Sequence, residues 1–76
     1  IRRTFTVEGG APQRVTVLVR RDDGRIMEVL HDAVVLNAGA TPLPLEVNVL
    51  DWPPGRYAFH VTSSAASGAH RLPFTL

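Results

Sequence analysis

Two stretches of alternating residues, separated by a proline-rich turn, constrain this chain more than any other feature. Leu45, Val47 and Val49 alternate with mostly polar neighbours before the turn, and the segment 56–62 alternates in the same way after it. A period of two is typical of a half-buried strand. The turn between them contains two prolines, which lack a backbone donor, and a glycine. The stretch Pro44–Ser64 therefore predicts a strand, a turn and a second strand of an antiparallel β domain.

Further strand signals lie on both sides of this stretch. They are Arg2–Glu8, Arg14–Arg20, Arg25–Leu30, Val34–Leu36 and His70–Leu76, with a turn at residues 21–24 and loops at 37–42 and 63–69. About seven short strands with turns every ~8–12 residues predict an all-β, antiparallel, two-sheet sandwich. Pro73 cannot donate to a ladder, so the last strand is predicted to lie at a sheet edge.

The segment 26–36 is the one place where the period is ambiguous. Apolar residues fall on both faces there, which indicates a bulge or a strand covered on both sides, and their spacing also fits a helix. The β-branched residues and the lack of a cap favour strand. The predicted core of the sandwich consists of Phe5, Val15, Val17, Val19, Met27, Leu45, Val47, Val49, Tyr57, Phe59, Val61, Leu72 and Phe74.

Length and charge narrow the function classes. The 76 residues predict one domain, 1–76, and the start at Ile1 suggests a domain excised from a longer protein. Net charge is +1, all eight basic residues are arginines, and these are scattered among acids rather than clustered, which argues against a nucleic-acid partner. No apolar run approaches the ~20 residues of a membrane span. There is no cysteine, so no disulfide or cysteine-ligated metal can stabilise the fold.

Two local patterns resemble bacterial immunoglobulin-like modules. The first is the Val15-x-Val17-x-Val19 strand followed by the Asp23-Gly24-Arg25 turn, then Met27 and Leu30; the second is Pro54-Gly55-Arg56-Tyr57 followed by Phe59 and Val61. Together they resemble the immunoglobulin-like domain of flagellar hook-capping proteins and the C-terminal sorting modules of some secreted proteins. The resemblance spans roughly residues 15–76 and implies an immunoglobulin or fibronectin-III-like sandwich. It carries little about function, because these residues are those that a sandwich needs at its turns.

Side chains with catalytic or metal-binding chemistry are present but show no productive spacing. His31, His60 and His70 lie far apart and no pair has ligand spacing, so we predict no metal site and no cofactor. Ser63, Ser64 and Ser67 near two of these histidines lack the context of a nucleophile elbow. The Asp22-Asp23-Gly24 segment is explained by a turn rather than by a calcium loop. The sequence therefore predicts a protein that is not an enzyme.

Trp52 is the most informative side chain outside the predicted core. It stands in the proline-flanked turn, where its ring can either close one end of the sandwich or anchor a partner or a sugar, with Arg56 close by. The closing role is the favoured interpretation. Tyr57 is predicted to belong to the core, with its hydroxyl bonded to the backbone at the end of the sheet.

The favoured function is a non-catalytic accessory, docking or spacer module of a larger extracytoplasmic bacterial protein, whether periplasmic, secreted or on the cell surface. Its partners would be neighbouring domains or other proteins. A small carbohydrate-binding module using Trp52, with a glycan as ligand, is one alternative, and an assembly module of a flagellar or phage structure is another. Contacts between chains are predicted at Ala33–Leu36, through Val34 and Val35, because no proline or basic residue protects that strand.

Overall fold

The computed structural model describes residues 1–66 and 68–76, so Ser67 lies outside the described residues. Six strands follow one another along the chain: β1 (Arg2–Gly9), β2 (Gln13–Arg21), β3 (Ile26–Leu36), β4 (Gly39–Glu46), β5 (Arg56–Ser63) and β6 (Ala69–Thr75). The described residues contain no helix. Sheet A has the order β1-β4 and sheet B the order β3-β2-β5-β6, and every pairing is antiparallel. The predicted all-β sandwich is confirmed, with six strands rather than seven.

The count of seven was wrong because the predicted strands Arg25–Leu30 and Val34–Leu36 form a single strand. β3 runs through both and pairs with β2, with three register shifts along the pair. Ala33 in the second half of β3 has a positive φ of 50°, a conformation that L residues rarely adopt. A bulge of this kind inserts an extra residue, so the side chains change face without the strand ending. The predicted bulge is therefore confirmed and the helix alternative is excluded.

The strands on either side of the proline turn lie in different sheets. β4 pairs with β1, whereas β5 pairs with β2 and β6. The segment 47–55 is not a hairpin turn but a crossing from sheet A to sheet B, and β4 ends at Glu46 rather than continuing to Leu50. Its start was also misplaced, because Gly39–Pro42, predicted as loop, already pairs with β1. Local alternation indicates a strand but does not identify the strand beside it.

The core between the sheets consists mainly of alternate residues of β2, β4 and β5. Nine predicted members are buried: Val15, Val17, Val19, Leu45, Val47, Tyr57, Phe59, Val61 and Phe74. The other four, Phe5, Met27, Val49 and Leu72, are half-buried and pack against these nine. Val7, Leu43, Ala58 and the polar Gln13 are buried although the sequence did not predict them. Phe59 is fully buried, and its ring centroid lies 5.2 Å from that of Phe74.

The turn between β2 and β3 forms as predicted from its Asp-Gly pair. The amide of Gly24 donates to the Arg21 carbonyl at 2.9 Å, and the amide of Arg25 donates to the Asp23 carboxylate at 2.9 Å. Gly24 has a φ of 89°, which favours glycine over any residue with a Cβ. This turn fixes how β3 returns along β2, and so determines which β3 side chains reach the outer face of sheet B.

Candidate functional site

Trp52 lies on the segment that crosses between the sheets, at one end of the core. Its amide donates to the Val49 carbonyl at 3.0 Å, which folds the segment back toward the sandwich. The indole is half-buried, packs against the core, and has its ring centroid 5.2 Å from that of Tyr57. The Tyr57 hydroxyl donates to the Pro53 carbonyl at 2.5 Å, as predicted. This geometry fits a ring that closes the end of the sandwich, with part of its surface still open to solvent.

Arg56, the next predicted binding residue, lies at the start of β5 and belongs to a basic group on the outer face of sheet B. It borders a shallow cavity of about 330 Å³ together with Arg20 of β2, Arg71 of β6 and His60 of β5. We call these four residues the basic centre. Cross-strand register brings them together, because Arg20 lies opposite Ala58 and His60 lies opposite Arg71.

The arginines of the basic centre outnumber the one acid that lines the same cavity, Asp22. Among the described residues, the single ion pair joins Arg2 to Glu46 on the other sheet. Partial burial, and then the Arg20 and Arg71 guanidinium groups, lower the pKa of His60 below its ordinary value. The neutral form of His60 is therefore favoured, and the positive charge of the centre comes mainly from its arginines.

Val34 and Val35, predicted as contact residues, point to opposite sides of β3. Val34 is half-buried and packs against the core, whereas Val35 is 60% exposed. Val35 lies opposite Arg14, and the same outer face of β3 carries Val29 opposite Leu18 and Ile26 opposite Arg20. Ile26 and Val29 form an apolar border beside the basic centre, and Val35 continues this border toward the other end of β3.

The outer face of sheet B thus combines residues that the sequence singled out with others that it missed. Arg56 and Val35 lie on it, whereas Trp52 and Val34 do not. Arg20, His60 and Arg71 were missed because they are scattered along the chain. In each strand, however, these residues alternate with the buried ones: Arg20 and His60 have even numbers in strands whose core residues are odd, and Arg71 has an odd number in a strand whose core residues are even. The alternation could therefore have placed them on the outer face. Val29 and Ile26 required knowledge of the bulges.

His31 and His60 lie apart from the described serines considered for chemistry, whereas Ser63 and His70 line the same cleft, each with other contacts. His31 Nε2 lies 3.0 Å from the Pro44 carbonyl oxygen, the ring of His70 lies 5.2 Å from that of Phe5, and His60 belongs to the basic centre. The Ser63 hydroxyl donates to the side-chain oxygen of Gln13 and accepts from the Ala65 amide. Within the described part of the chain, no group of three or more acidic or histidine side chains could hold a metal ion.

Fold and surface together define a small antiparallel β-sandwich with one basic and apolar sheet face. Comparison with protein-family models, with curated proteins and with solved structures found no match for this chain. In residues 1–66 and 68–76 there is no helix long and apolar enough to cross a membrane.

Proposed function

We propose that this chain is a non-catalytic docking module of a larger extracytoplasmic bacterial protein, and that it holds a protein partner on the outer face of sheet B. The observation that carries the proposal is the basic centre of Arg20, Arg56 and Arg71 beside the apolar border of β3. Protein interfaces are enriched in arginine and combine an apolar patch with polar groups around it. The partner that fits this face carries acidic groups next to aliphatic or aromatic side chains.

The arrangement of strands supports the immunoglobulin-like interpretation of the module. In immunoglobulin-like domains, consecutive hairpins lie in one sheet and are linked by a strand of the other sheet. Here the β2–β3 and β5–β6 hairpins share sheet B, and β4 between them belongs to sheet A. The hydroxyl of Tyr57, near the start of β5, bonds back to Pro53, as in the tyrosine corner of such domains. This likeness concerns the fold, and a fold does not by itself imply a function.

The carbohydrate alternative depends on the ring of Trp52. A sugar-binding tryptophan presents an open face on which a pyranose ring can stack, whereas Trp52 is half-buried against Tyr57. Titration of the parent domain with a panel of glycans, followed by Trp52 fluorescence, tests this alternative. We expect no saturable change, and a saturable change abolished in Trp52→Ala would favour the carbohydrate function over protein docking.

Selection of a displayed peptide library on the parent domain tests the docking proposal. We expect the selected peptides to combine acidic and apolar residues, and to bind Arg20→Glu/Arg71→Glu at least about tenfold more weakly, because two attractive charges become repulsive. Arg3→Glu is the matched control, since Arg3 is an exposed arginine of sheet A. Peptides that bind the double variant as well as the parent would show that the basic centre is not the docking surface.

A further inference from the structure

Three of the four edge strands in this sandwich carry a device that blocks further strand pairing. Ile1 and Val47 exchange two backbone hydrogen bonds, and in an antiparallel pair every second residue from there does the same. Pro42 and Pro44 lie at the positions between, so their nitrogens, which carry no hydrogen, face the outer edge of β4. The mutual bonds between Gly55 and Leu76 place the Pro73 nitrogen on the outer edge of β6 in the same way. The β3 edge is interrupted by its bulges. Prolines and bulges are common protections of sheet edges.

β1 is the one edge strand in the described chain without such a device. It contains no proline, and its register with β4 is continuous from Arg2 to Gly9. The ladder directs the N–H and C=O groups of Thr4 and Thr6 away from β4, and no described residue bonds to them. The carbonyls of Arg2 and Glu8, which also face outward, accept from the Arg3 guanidinium and the Gln13 amide. The free donors and acceptors that strand addition requires are therefore those of Thr4 and Thr6, at the middle of the edge.

An apolar cleft lies beside this open edge. Sheet A has two strands and sheet B has four, so sheet A leaves part of the inner face of sheet B uncovered. The cleft has a volume of about 480 Å³, and its apolar lining comes from Phe5 and Val7 of β1, Val15 of β2 and Val61 of β5. On the opposite side of the sandwich, the contact between His31 and Pro44 joins β3 to β4. On the β1 side the Phe5 and His70 rings lie 5.2 Å apart, and the cleft remains between the two sheets there.

We propose that the β1 edge binds the β1 edge of a second copy of this chain, in antiparallel orientation. The outer face of β1 is self-complementary when Phe5 lies opposite Phe5 of the second copy, and on the inner face Arg3 then lies opposite Val7. Arg2 of each copy then lies opposite Glu8 of the other, so the dimer contains two pairs of opposite charges. Thr4 of each copy lies opposite Thr6 of the other. Opposite charges and threonine pairs across strands stabilise a sheet, and a symmetric pairing repeats each contact twice.

Backbone geometry and the inner face are compatible with the same register. Thr4 and Thr6 are the residues whose backbone groups point outward, so they meet as hydrogen-bonded pairs across the two-fold axis. Phe5 of each copy then lies on the inner side, at the mouth of the other copy's cleft, where its ring loses contact with water. The product is a continuous four-stranded sheet, β4-β1-β1-β4. This inference does not depend on the proposed docking function, which uses the opposite sheet.

Sedimentation velocity from about 10 μM to about 1 mM, the range of weak association, tests the pairing. We expect the parent to pass from monomer to dimer, and Thr6→Pro to bind itself at least about tenfold more weakly. That variant removes an outward donor of β1 in the way that Pro42 does on β4, and it leaves the bonds to β4 in place. Thr75→Pro is the matched control, because it removes an outward donor from the β6 edge that already carries Pro73.

Charge reversal tests the register. Glu8→Arg should weaken self-association by about threefold or more, because Arg2 then faces a like charge in each copy. The triple variant Arg2→Glu/Glu8→Arg/Glu46→Arg should recover the parent's dissociation constant to within about twofold, because the pairs between copies are again opposite in sign and Glu46→Arg keeps the ion pair within the chain. Circular dichroism of each variant checks that the monomer stays folded.

A monomeric parent over the whole range would overturn the proposal, and so would a Thr6→Pro variant that dimerises as well as the parent. Val35→Lys examines the other predicted contact, on β3. If Val35→Lys abolishes the dimer while Thr6→Pro does not, the contact lies on the Ala33–Leu36 side and the β1 pairing is wrong. Failure of Arg2→Glu/Glu8→Arg/Glu46→Arg to recover association would likewise contradict the assigned register. A failure of the β1 pairing leaves the peptide-binding test of the basic centre unchanged, because the double variant of that test lies on sheet B.

Discussion

Phe59 shows at the scale of a single residue how this small domain holds together. Its side chain is fully buried in β5, between Val19 of β2 and Leu72 of β6 in the ladder, and its ring lies close to that of Phe74. A 76-residue domain buries only ~60% of its unfolded surface, so a few large side chains supply much of the stabilising apolar contact. Removing one of them leaves a cavity that a tightly packed core cannot close.

Phe59→Ala should lower the free energy of unfolding by about 3–5 kcal/mol, through lost burial and an added cavity. Natural domains have total stabilities of only about 5–15 kcal/mol, so the variant should be close to unfolding at room temperature. Urea titration followed by circular dichroism measures the change. Leu50→Ala is the control, because Leu50 is 85% exposed and its truncation should change stability by less than about 0.5 kcal/mol. An unchanged midpoint for Phe59→Ala would contradict the assigned core.

His60 gives the domain a pH dependence whose sign follows from its environment. Partial burial, Arg20 and Arg71 lower its pKa in the folded state, so the unfolded chain binds a proton at higher pH than the folded chain does. Stability is then unaffected above the ordinary histidine pKa of about 6.5, and it falls as pH drops below that value toward the folded pKa.

Unfolding free energies measured from pH 7.5 to 5 should therefore decrease more steeply for the parent than for His60→Gln, which cannot take up the proton. His70→Gln serves as a comparison variant, because His70 lies on β6 away from the basic centre. Parallel curves for the parent and His60→Gln would show that the charged form of His60 is not disfavoured by the fold.

At the scale of an element, the β2–β3 hairpin determines the composition of the candidate docking face. Its turn is set by the hydrogen bonds of residues 21–25, and its bulges carry Val29 and Val35 to the outer side of β3. A strict period of two would put Val29 and Ile26 on opposite faces. The bulges thus produce the apolar border, and the turn holds β3 at the edge beside Arg20.

Gly24→Ala should destabilise the domain by roughly 1–2 kcal/mol, the cost of placing an L residue in the left-handed region. No atom lies within 4 Å of the added Cβ, so the cost arises from backbone conformation rather than from a clash. Gly10→Ala is a matched control, because Gly10 has equal space and is not among the positive-φ glycines. Thermal unfolding of both variants measures the difference, and equal melting temperatures would contradict the assigned turn.

At the scale of the whole molecule, the pairing of strands that are distant in sequence sets the behaviour of the fold. β1 pairs with β4, so Arg2 lies opposite Glu46, and β2 pairs with β5, so Val15 lies opposite Ser63. To form either pair, the chain must first close a long loop, which costs conformational entropy before any contact compensates for it. Folds with such distant contacts fold slowly.

We expect refolding of the parent from urea to take milliseconds to seconds rather than microseconds, as for other small all-β sandwiches. Stopped-flow measurement of Trp52 fluorescence can follow it, because the ring packs against the core only when the crossing segment is in place. Refolding complete within the microsecond range would indicate that local hairpins rather than β1–β4 and β2–β5 limit the rate. Repeating the measurement with Thr6→Pro excludes a contribution from association.

Residue alternation by itself determined where most strands lie and which of their side chains are buried. A period of two depends only on neighbours along the chain. It singled out six residues that are all buried, namely Val15, Val17, Val19, Tyr57, Phe59 and Val61. The same is true of the turn at Asp23-Gly24, whose chemistry is local, and of Pro73, whose missing donor confines it to an edge. The outward parity of Arg56 was equally available, whereas that of Val35 depended on the bulges of β3.

Only the tertiary structure decided which strands are neighbours. The alternation in 44–50 and 56–62 predicts two half-buried strands. It is the same whether these strands pair in one sheet or lie in two sheets that face each other across the core, and here they lie in two sheets. A strand presents the same apolar face to either arrangement, so the choice depends on the combined packing of β1, β2 and β6. That choice assembles Arg20, Arg56 and Arg71 from three strands, and it leaves β1 with an open edge.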